Sequence, residues 1–178
     1  MRKTTLKISA VVLLWMGFTF CSQQKSHPVY MGTEMSSGYD LGVTTNKDSV
    51  GWLTDVGGAM KADYPAGQDW GSLFITVGKI KDLPNKPTVD LTGFQKLVFE
   101  IKSDSAPCTI EVGMKDAEDP DDGTESKVAI QVTEEWKSYE IDLSSFANAD
   151  LKQIYILVEF IFTGQVAQSI SVRNIQYK

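Results

Sequence analysis

The sequence predicts an all-β protein built from antiparallel sheets, with little helix. Three observations carry that prediction. Apolar residues recur with a period of two in several segments, the mark of strands that cover a core on one face. Clusters of Gly, Pro, Asp and Ser separate those segments at short intervals, as turns do in closed or two-layer antiparallel folds. No stretch shows a convincing amphipathic-helix period, and residues 144–152 have room for only one helical turn.

Taken in order, residues 30–50 are rich in Gly, Ser, Thr and Asn and predict loops with a first edge strand around residues 39–43. Residues 50–58 read as a strand and a turn. A short strand over 59–64 ends at Pro65-Ala-Gly-Gln68. Asp69-Trp70-Gly71 leads into a strand over 72–77, and residues 79–88, with Pro84 and Pro87, form a loop. The stretch from Val89 to Ser103 organises the rest. A turn holding Asp90 and Gly93 feeds a strand in which Leu97, Phe99 and Ile101 point one way, and Lys96, Val98, Glu100 and Lys102 the other. Further strands follow over 108–115, 127–132, 138–143, 154–162 and 170–177. In the strand over 138–143, Tyr139 and Ile141 share a face with Leu143.

Three of these segments carry a family likeness: Asp90-Leu-Thr-Gly-Phe94 running into Leu97-Val-Phe-Glu-Ile-Lys-Ser103, then Glu135-Trp-Lys-Ser-Tyr-Glu-Ile-Asp-Leu-Ser-Ser-Phe146, then Ser171-Val-Arg-Asn-Ile-Gln-Tyr177. Over residues 50–178 the chain resembles the jelly-roll carbohydrate-binding modules of bacterial surface and secreted proteins, and the wider galactose-binding-like sandwiches. The resemblance implies a two-sheet antiparallel jelly-roll β-sandwich. One sheet would hold 59–64, 170–177, 96–102 and 138–143; the other would hold 72–77, 154–162, 108–115 and 127–132. It also implies non-catalytic binding of a glycan.

On that assignment, strand alternation sends one set of the second sheet inward, including Ile154, Ile156, Val158, Phe160 and Phe162. The other set faces out: Phe74, Thr76, Tyr155, Leu157, Glu159, Ile161, Thr109, Glu111, Gly113, Lys115, Lys127, Ala129 and Gln131. A plain solvent face would lack the Leu, Ile and Phe, and a second core would lack the Glu and Lys. Sugar rings have apolar faces that stack on aromatics and hydroxyls that pair with carboxylate, amide and ammonium groups. The candidate ligand contacts are therefore Trp70, Phe74, Glu111, Lys115, Asp116, Gln131, Tyr155 and Glu159. The competing reading is a wet sheet face, or one covered by residues 28–50. Trp70 is either a stacking platform or a plug for one end of the sandwich. Trp52 belongs with the core, and Trp136 with the strand it begins.

The run Asp116-Ala-Glu-Asp-Pro-Asp-Asp-Gly-Thr-Glu125 is the densest acidic segment. Hard cations such as Ca²⁺ need six to eight oxygens, and Asp119, Asp121, Asp122 and Glu125 could supply some. The spacing is not that of an EF-hand, since Pro120 falls where an acid belongs. The alternatives are a solvated hairpin loop, or Asp116 and Asp122 reaching over the groove to a ligand. Catalysis is hard to assemble. His27 is the only histidine, which removes Ser/His/Asp and Cys/His sites. Glu111 and Glu159 could form a glycosidase pair about 5 Å or more apart, but Lys115 and Lys127 stand ready to neutralise them. A third role, an adhesin or envelope scaffold whose sheet face docks another protein, needs no catalysis either.

The 178-residue chain carries −6. Without residues 1–20 it loses three of its 17 basic residues and none of its 23 acids, reaching −9. That charge disfavours nucleic acid and anionic membrane surfaces as partners. Arg2, Lys3 and Lys7 precede an apolar run over 8–20 that is too short to span a bilayer, and Cys21 follows at once. The pattern resembles a bacterial lipoprotein signal with a lipid on Cys21, although Phe20 stands where a small residue is usual. Residues 1–20 are then the signal, 21–29 a tether and 30–178 the domain, anchored by lipid at the cell envelope, with the outer membrane the expected site. With Cys21 acylated, Cys108 has no disulfide partner.

Overall fold

The protein's structure, a computed structural model, describes residues 25–47, 52–55, 58–79, 86–120 and 122–178. Among the described residues, twelve strands form two antiparallel sheets. They are β1 (His27–Met31), β2 (Glu34–Met35), β3 (Tyr39–Thr45), β4 (Leu53–Asp55), β5 (Met60–Tyr64), β6 (Trp70–Val77), β7 (Lys96–Ser103), β8 (Cys108–Asp116), β9 (Lys127–Val132), β10 (Lys137–Asp142), β11 (Ile154–Thr163) and β12 (Gln168–Tyr177). A single 3-10 turn, Leu143–Ser145, is the helical element among the described residues.

Sheet A runs β10-β7-β12-β1-β2, and β5 also pairs with β12 and carries β4. Strand β12 is long enough for two partners on one edge: residues 168–172 pair with β5, and 175–177 with β1. Sheet B runs β3-β6-β11-β8-β9. The two sheets expected from the sequence are thus the two observed, with β3 as the anticipated edge. Residues 27–29, read from the sequence as part of a tether, lie in β1. His27 opens that strand, hydrogen-bonds Tyr39 through Nε2, and sits edge-on to Phe94 with centroids 5.6 Å apart.

The organising stretch crosses between the sheets. Val89 exchanges backbone hydrogen bonds with Ile154 of β11, at 2.9 and 3.0 Å. Asp90 then accepts from the Thr92 N–H and hydroxyl, at 2.8 and 2.6 Å, an Asx turn that frees the chain to start β7. Between the sheets lies one core. Phe99 of β7 meets Phe160 of β11 edge-on at 5.2 Å, and Tyr64 of β5 stacks on Phe162 of β11 at 5.0 Å. The Tyr177 hydroxyl donates across the core to the Leu157 carbonyl.

Strand β11 departs from simple alternation. Its register on β6 shifts between Ile156 and Val158, and on β8 it shifts on both sides of Ile156. A bulge puts two residues of one strand opposite one of the next and flips the faces beyond it. Ile156 therefore pairs with Thr76 and Lys115 on the outer face, while Leu157 is fully buried in the core. This reverses the orientations expected for Ile156 and Leu157.

Gly71 shows how tightly the Trp70 end is packed. A Cβ there would lie 2.8 Å from Tyr64 Cε2 and 3.1 Å from Thr45 Cγ2. Tyr64 cannot yield, being stacked on Phe162 and tied by its hydroxyl to the Gly164 carbonyl at 2.8 Å. Gly71→Ala is expected to cost about 1–3 kcal/mol, read as a lower urea midpoint at unchanged m-value.

Candidate functional site

The outer face of sheet B can be mapped row by row from its register. Thr44, Ser72, Ile161, Glu111 and Ala129 form one row. Next to it run Gly42, Phe74, Glu159, Gly113 and Lys127. Beyond that lie Asp40, Thr76, Ile156 and Lys115. On the other side of the first row, Trp70 opposes Thr163, and Thr109 opposes Gln131. Glu111, Lys115, Gln131 and Glu159 thus share one face, but Lys115 and Glu159 are buried in it rather than open to a ligand as expected.

That face has two halves of different character. In one, the chain between β8 and β9 folds back so that Glu125 bonds Lys127 at 2.9 Å and lies 3.6 Å from Lys115. Glu159 is buried beside them, only 6% exposed, and accepts from the Ser72 hydroxyl at 3.3 Å. Its other carboxylate oxygen is buried without a hydrogen-bond partner. Gly113 lets it approach, since a Cβ there would lie 2.6 Å from Glu159 Oε1. Burial, and then the nearby Glu125 carboxylate, push the Glu159 pKa up to about 7, against the pull of Lys115, Ser72 and Lys127. The same two lysines hold Glu125 below the usual carboxylate range despite its own burial.

The other half is open. Trp70 is 44% exposed, the one exposed aromatic among the described residues. Its surroundings are fixed by polar groups. Asn46 Oδ1 accepts from the Asp69 and Trp70 N–H groups at 2.8 and 3.4 Å. Asn46 Nδ2 donates to Asp69 Oδ2 at 2.7 Å, and Gln165 Nε2 donates to Asp69 Oδ1 at 3.0 Å. Further along β6, Phe74 is half-buried between Gly42 and Glu159. Trp70 and Phe74 lie four residues apart on one strand face, about 13 Å. Glu111 is half-buried, and exposed Gln131 donates to the Thr109 hydroxyl at 2.9 Å.

Besides Lys115 and Glu159, two further expected contacts are turned to other work. Asp116 is buried, and its carboxylate accepts from the Glu118, Asp119 and Asp150 N–H groups at 2.8, 3.0 and 2.7 Å. It shapes the loop and has little capacity left for a ligand. Tyr155 is 5% exposed, with the Lys86 ammonium 5.6 Å from its ring centre, so it offers no stacking surface. The acidic run is likewise engaged. Asp119 accepts from the Asp116 N–H at 2.9 Å, Asp122 accepts from Thr124, and Glu125 holds its two lysines. Among the described residues, no group of three His, Cys, Asp or Glu side chains is placed to hold a metal ion. Asp121 and Cys21 lie outside the described residues. Asn46, Asp69 and Gln165 were not anticipated. Asp69 stands next to Trp70 in a turn-rich segment, but nothing local marks Asn46 or Gln165, which arrive from strand ends far away in sequence.

A two-sheet sandwich with an exposed Trp beside immobilised amide and carboxylate groups is the build of a carbohydrate-binding module, a non-catalytic class of protein. The chain belongs to the Carbohydrate binding domain 30 family, which matches residues 43–178. Its fold is similar to that of a family 29 carbohydrate-binding module complexed with mannohexaose: TM-score 0.60, 15% identity, 86% of this chain and 90% of that one. It is also similar to the family 11 carbohydrate-binding module from Clostridium thermocellum in complex with a beta-1,3-1,4-mixed-linked tetrasaccharide: TM-score 0.58, 18% identity, 85% of this chain and 94% of the other. No curated protein matches the chain.

Proposed function

We propose that the open half of the sheet B face holds the glycan. Trp70 stacks on a sugar ring, Phe74 bounds the floor, and Glu111, Gln131 and the Asn46–Asp69–Gln165 cluster meet the hydroxyls. Glu159 and Lys115, buried in the other half of the face, flank that floor. One observation carries this reading: the exposed indole of Trp70 opens β6 beside a turn that Asn46, Asp69 and Gln165 pin in place. An aromatic held in place loses little entropy on binding, which favours it as a platform.

Mannan and mixed-linked β-glucan oligosaccharides, the ligand types seen in the structural relatives, are the first probes. Calorimetry with Trp70→Ala is expected to show affinity lower by about tenfold or more, equivalent to roughly 1.4 kcal/mol, with melting temperature little changed. Undiminished binding by that variant would remove the site from this face. If no glycan binds and a pull-down returns an envelope protein instead, the scaffold role takes its place.

The anchor is part of the same proposal. The basic start, the short apolar run and Cys21 support lipidation at the bacterial envelope, which would present the module to surface polysaccharide. Fatty-acid labelling that vanishes in Cys21→Ser, with release of the protein to the soluble fraction, is the expected result.

A further inference from the structure

The opposite side of the molecule carries a second, chemically different cleft. On the outer face of sheet A, Lys61, Ser171 and Lys102 form one row, and Arg173 opposes Glu100 in the next. Trp136, just before β10, lies against that face. The Arg173 guanidinium sits 4.1 Å from the Trp136 ring centre, and the Lys102 ammonium 5.6 Å from it. These groups border a cleft of about 380 Å³ that Gly58 and Ala59 also line.

The charge of the lining is the informative part. Lys61, Lys102 and Arg173 line the cleft against a single carboxylate, Asp104. The other acids that steady these cations are not part of the lining: Asp63 holds Lys61 at 2.9 Å, and Glu100 holds Arg173 Nε at 2.7 Å. Asp104 is bonded to Lys102 and to the Ser171 hydroxyl, both at 2.5 Å. The three ion pairs balance one another, but in a chain of net charge −6 the lining itself sets three cationic heads and an indole wall against one carboxylate. Ion pairs of this kind, only partly exposed, hold their cationic heads in place, so a ligand anion meets donors already aligned. The indole wall suits the apolar face of a sugar ring.

We propose that this cleft is a second glycan site, selective for sugars bearing an anionic group, either carboxylate or sulfate. Trp136 carries the ring, and Lys61, Lys102 and Arg173 take the anion. The site is separate from the Trp70 platform and lies on the other sheet. A module with two faces of different preference would bridge a neutral and an acidic polysaccharide chain.

The test is calorimetry with tetragalacturonate and with a sulfated galactan tetrasaccharide, each against wild type, Trp70→Ala, Lys61→Gln and Arg173→Gln, with melting curves confirming the fold. At least one acidic oligosaccharide is expected to bind, and binding weakens as salt is raised. Arg173→Gln and Lys61→Gln are each expected to reduce affinity by about tenfold, while Trp70→Ala leaves it unchanged. The oligosaccharide that binds identifies the anion. Failure of both to bind wild type overturns the proposal, as does binding indifferent to Lys61→Gln and Arg173→Gln. Acidic binding lost in Trp70→Ala would also overturn it, by assigning the ligand to the sheet B face.

Discussion

At about pH 8, Glu159→Gln is expected to melt several degrees above the wild-type protein, and the advantage is expected to vanish below about pH 5. The sign follows from where the proton goes. Glu159 has a folded pKa of about 7 against an ordinary value of 4.5. Between those values the folded chain holds a proton that the unfolded chain has released. The stabilising contribution of this group is thus complete below about pH 4.5, falls as pH rises, and is lost above about pH 7. The difference corresponds to about 3 kcal/mol. The neutral amide takes nearly the same space and carries no charge to desolvate, so Gln removes the penalty at high pH and changes little at low pH. Several acids outside the core have lowered pKa values through ion pairs, among them half-buried Glu100 with Arg173 and exposed Glu140 with Lys96. They act in the opposite sense, so the wild-type profile mixes both, and the mutant-minus-wild-type difference isolates Glu159. A difference that stays flat from about pH 4 to pH 9 would mean that Glu159 is solvated, and that the loop carrying Glu125 does not cover it.

The sequence made the sheets legible because most strands have one wet face. Leu97, Phe99 and Ile101 alternate with Lys96, Glu100 and Lys102, and that alternation determines a face without further information. Strand β11 has no such contrast. All but the last of its residues are buried, so both sides of Ile-Tyr-Ile-Leu-Val read as apolar, and a bulge leaves no trace in the pattern. The orientations of Ile156 and Leu157 were lost there. The acidic loop failed for a different reason. Carboxylates that accept backbone N–H groups, as Asp116 does, look in sequence like carboxylates free for a metal or a sugar. Strand β1 was missed because its side chains are ordinary, and it is defined by pairing with β12, nearly the whole chain away. Trp70 was legible because a large aromatic in a segment of turn residues has few reasons to be there, whereas Asn46 and Gln165 reach it only through the fold.

Phe162→Ala is the substitution with the largest expected cost to stability, about 3–5 kcal/mol. Phe162 is fully buried in β11, stacked on Tyr64 and edge-on to Trp52 at 5.6 Å. Removing its ring opens a void between two rings that cannot easily refill it. The Tyr64 hydroxyl is tied to Gly164, and Gly71 packs directly against the Tyr64 ring. The damage should therefore travel along one short route. Phe162 faces Gly71 across the β11–β6 pair, and the next residue pair on those strands is Thr163 with Trp70. A relaxed Tyr64 loosens the β6 entry on which the indole stands. Urea unfolding should show the full loss of stability, and Phe162→Leu, which fills most of the space, should recover the larger part. Glycan affinity measured well below the melting temperature supplies the second readout. If the core triad holds Trp70 in place, the alanine variant binds more weakly even when fully folded, and the leucine variant binds nearly as wild type. If the folded alanine variant binds with unaltered affinity, the loop hydrogen bonds of Asn46 and Asp69 hold the platform by themselves, and the core beneath contributes only to folding.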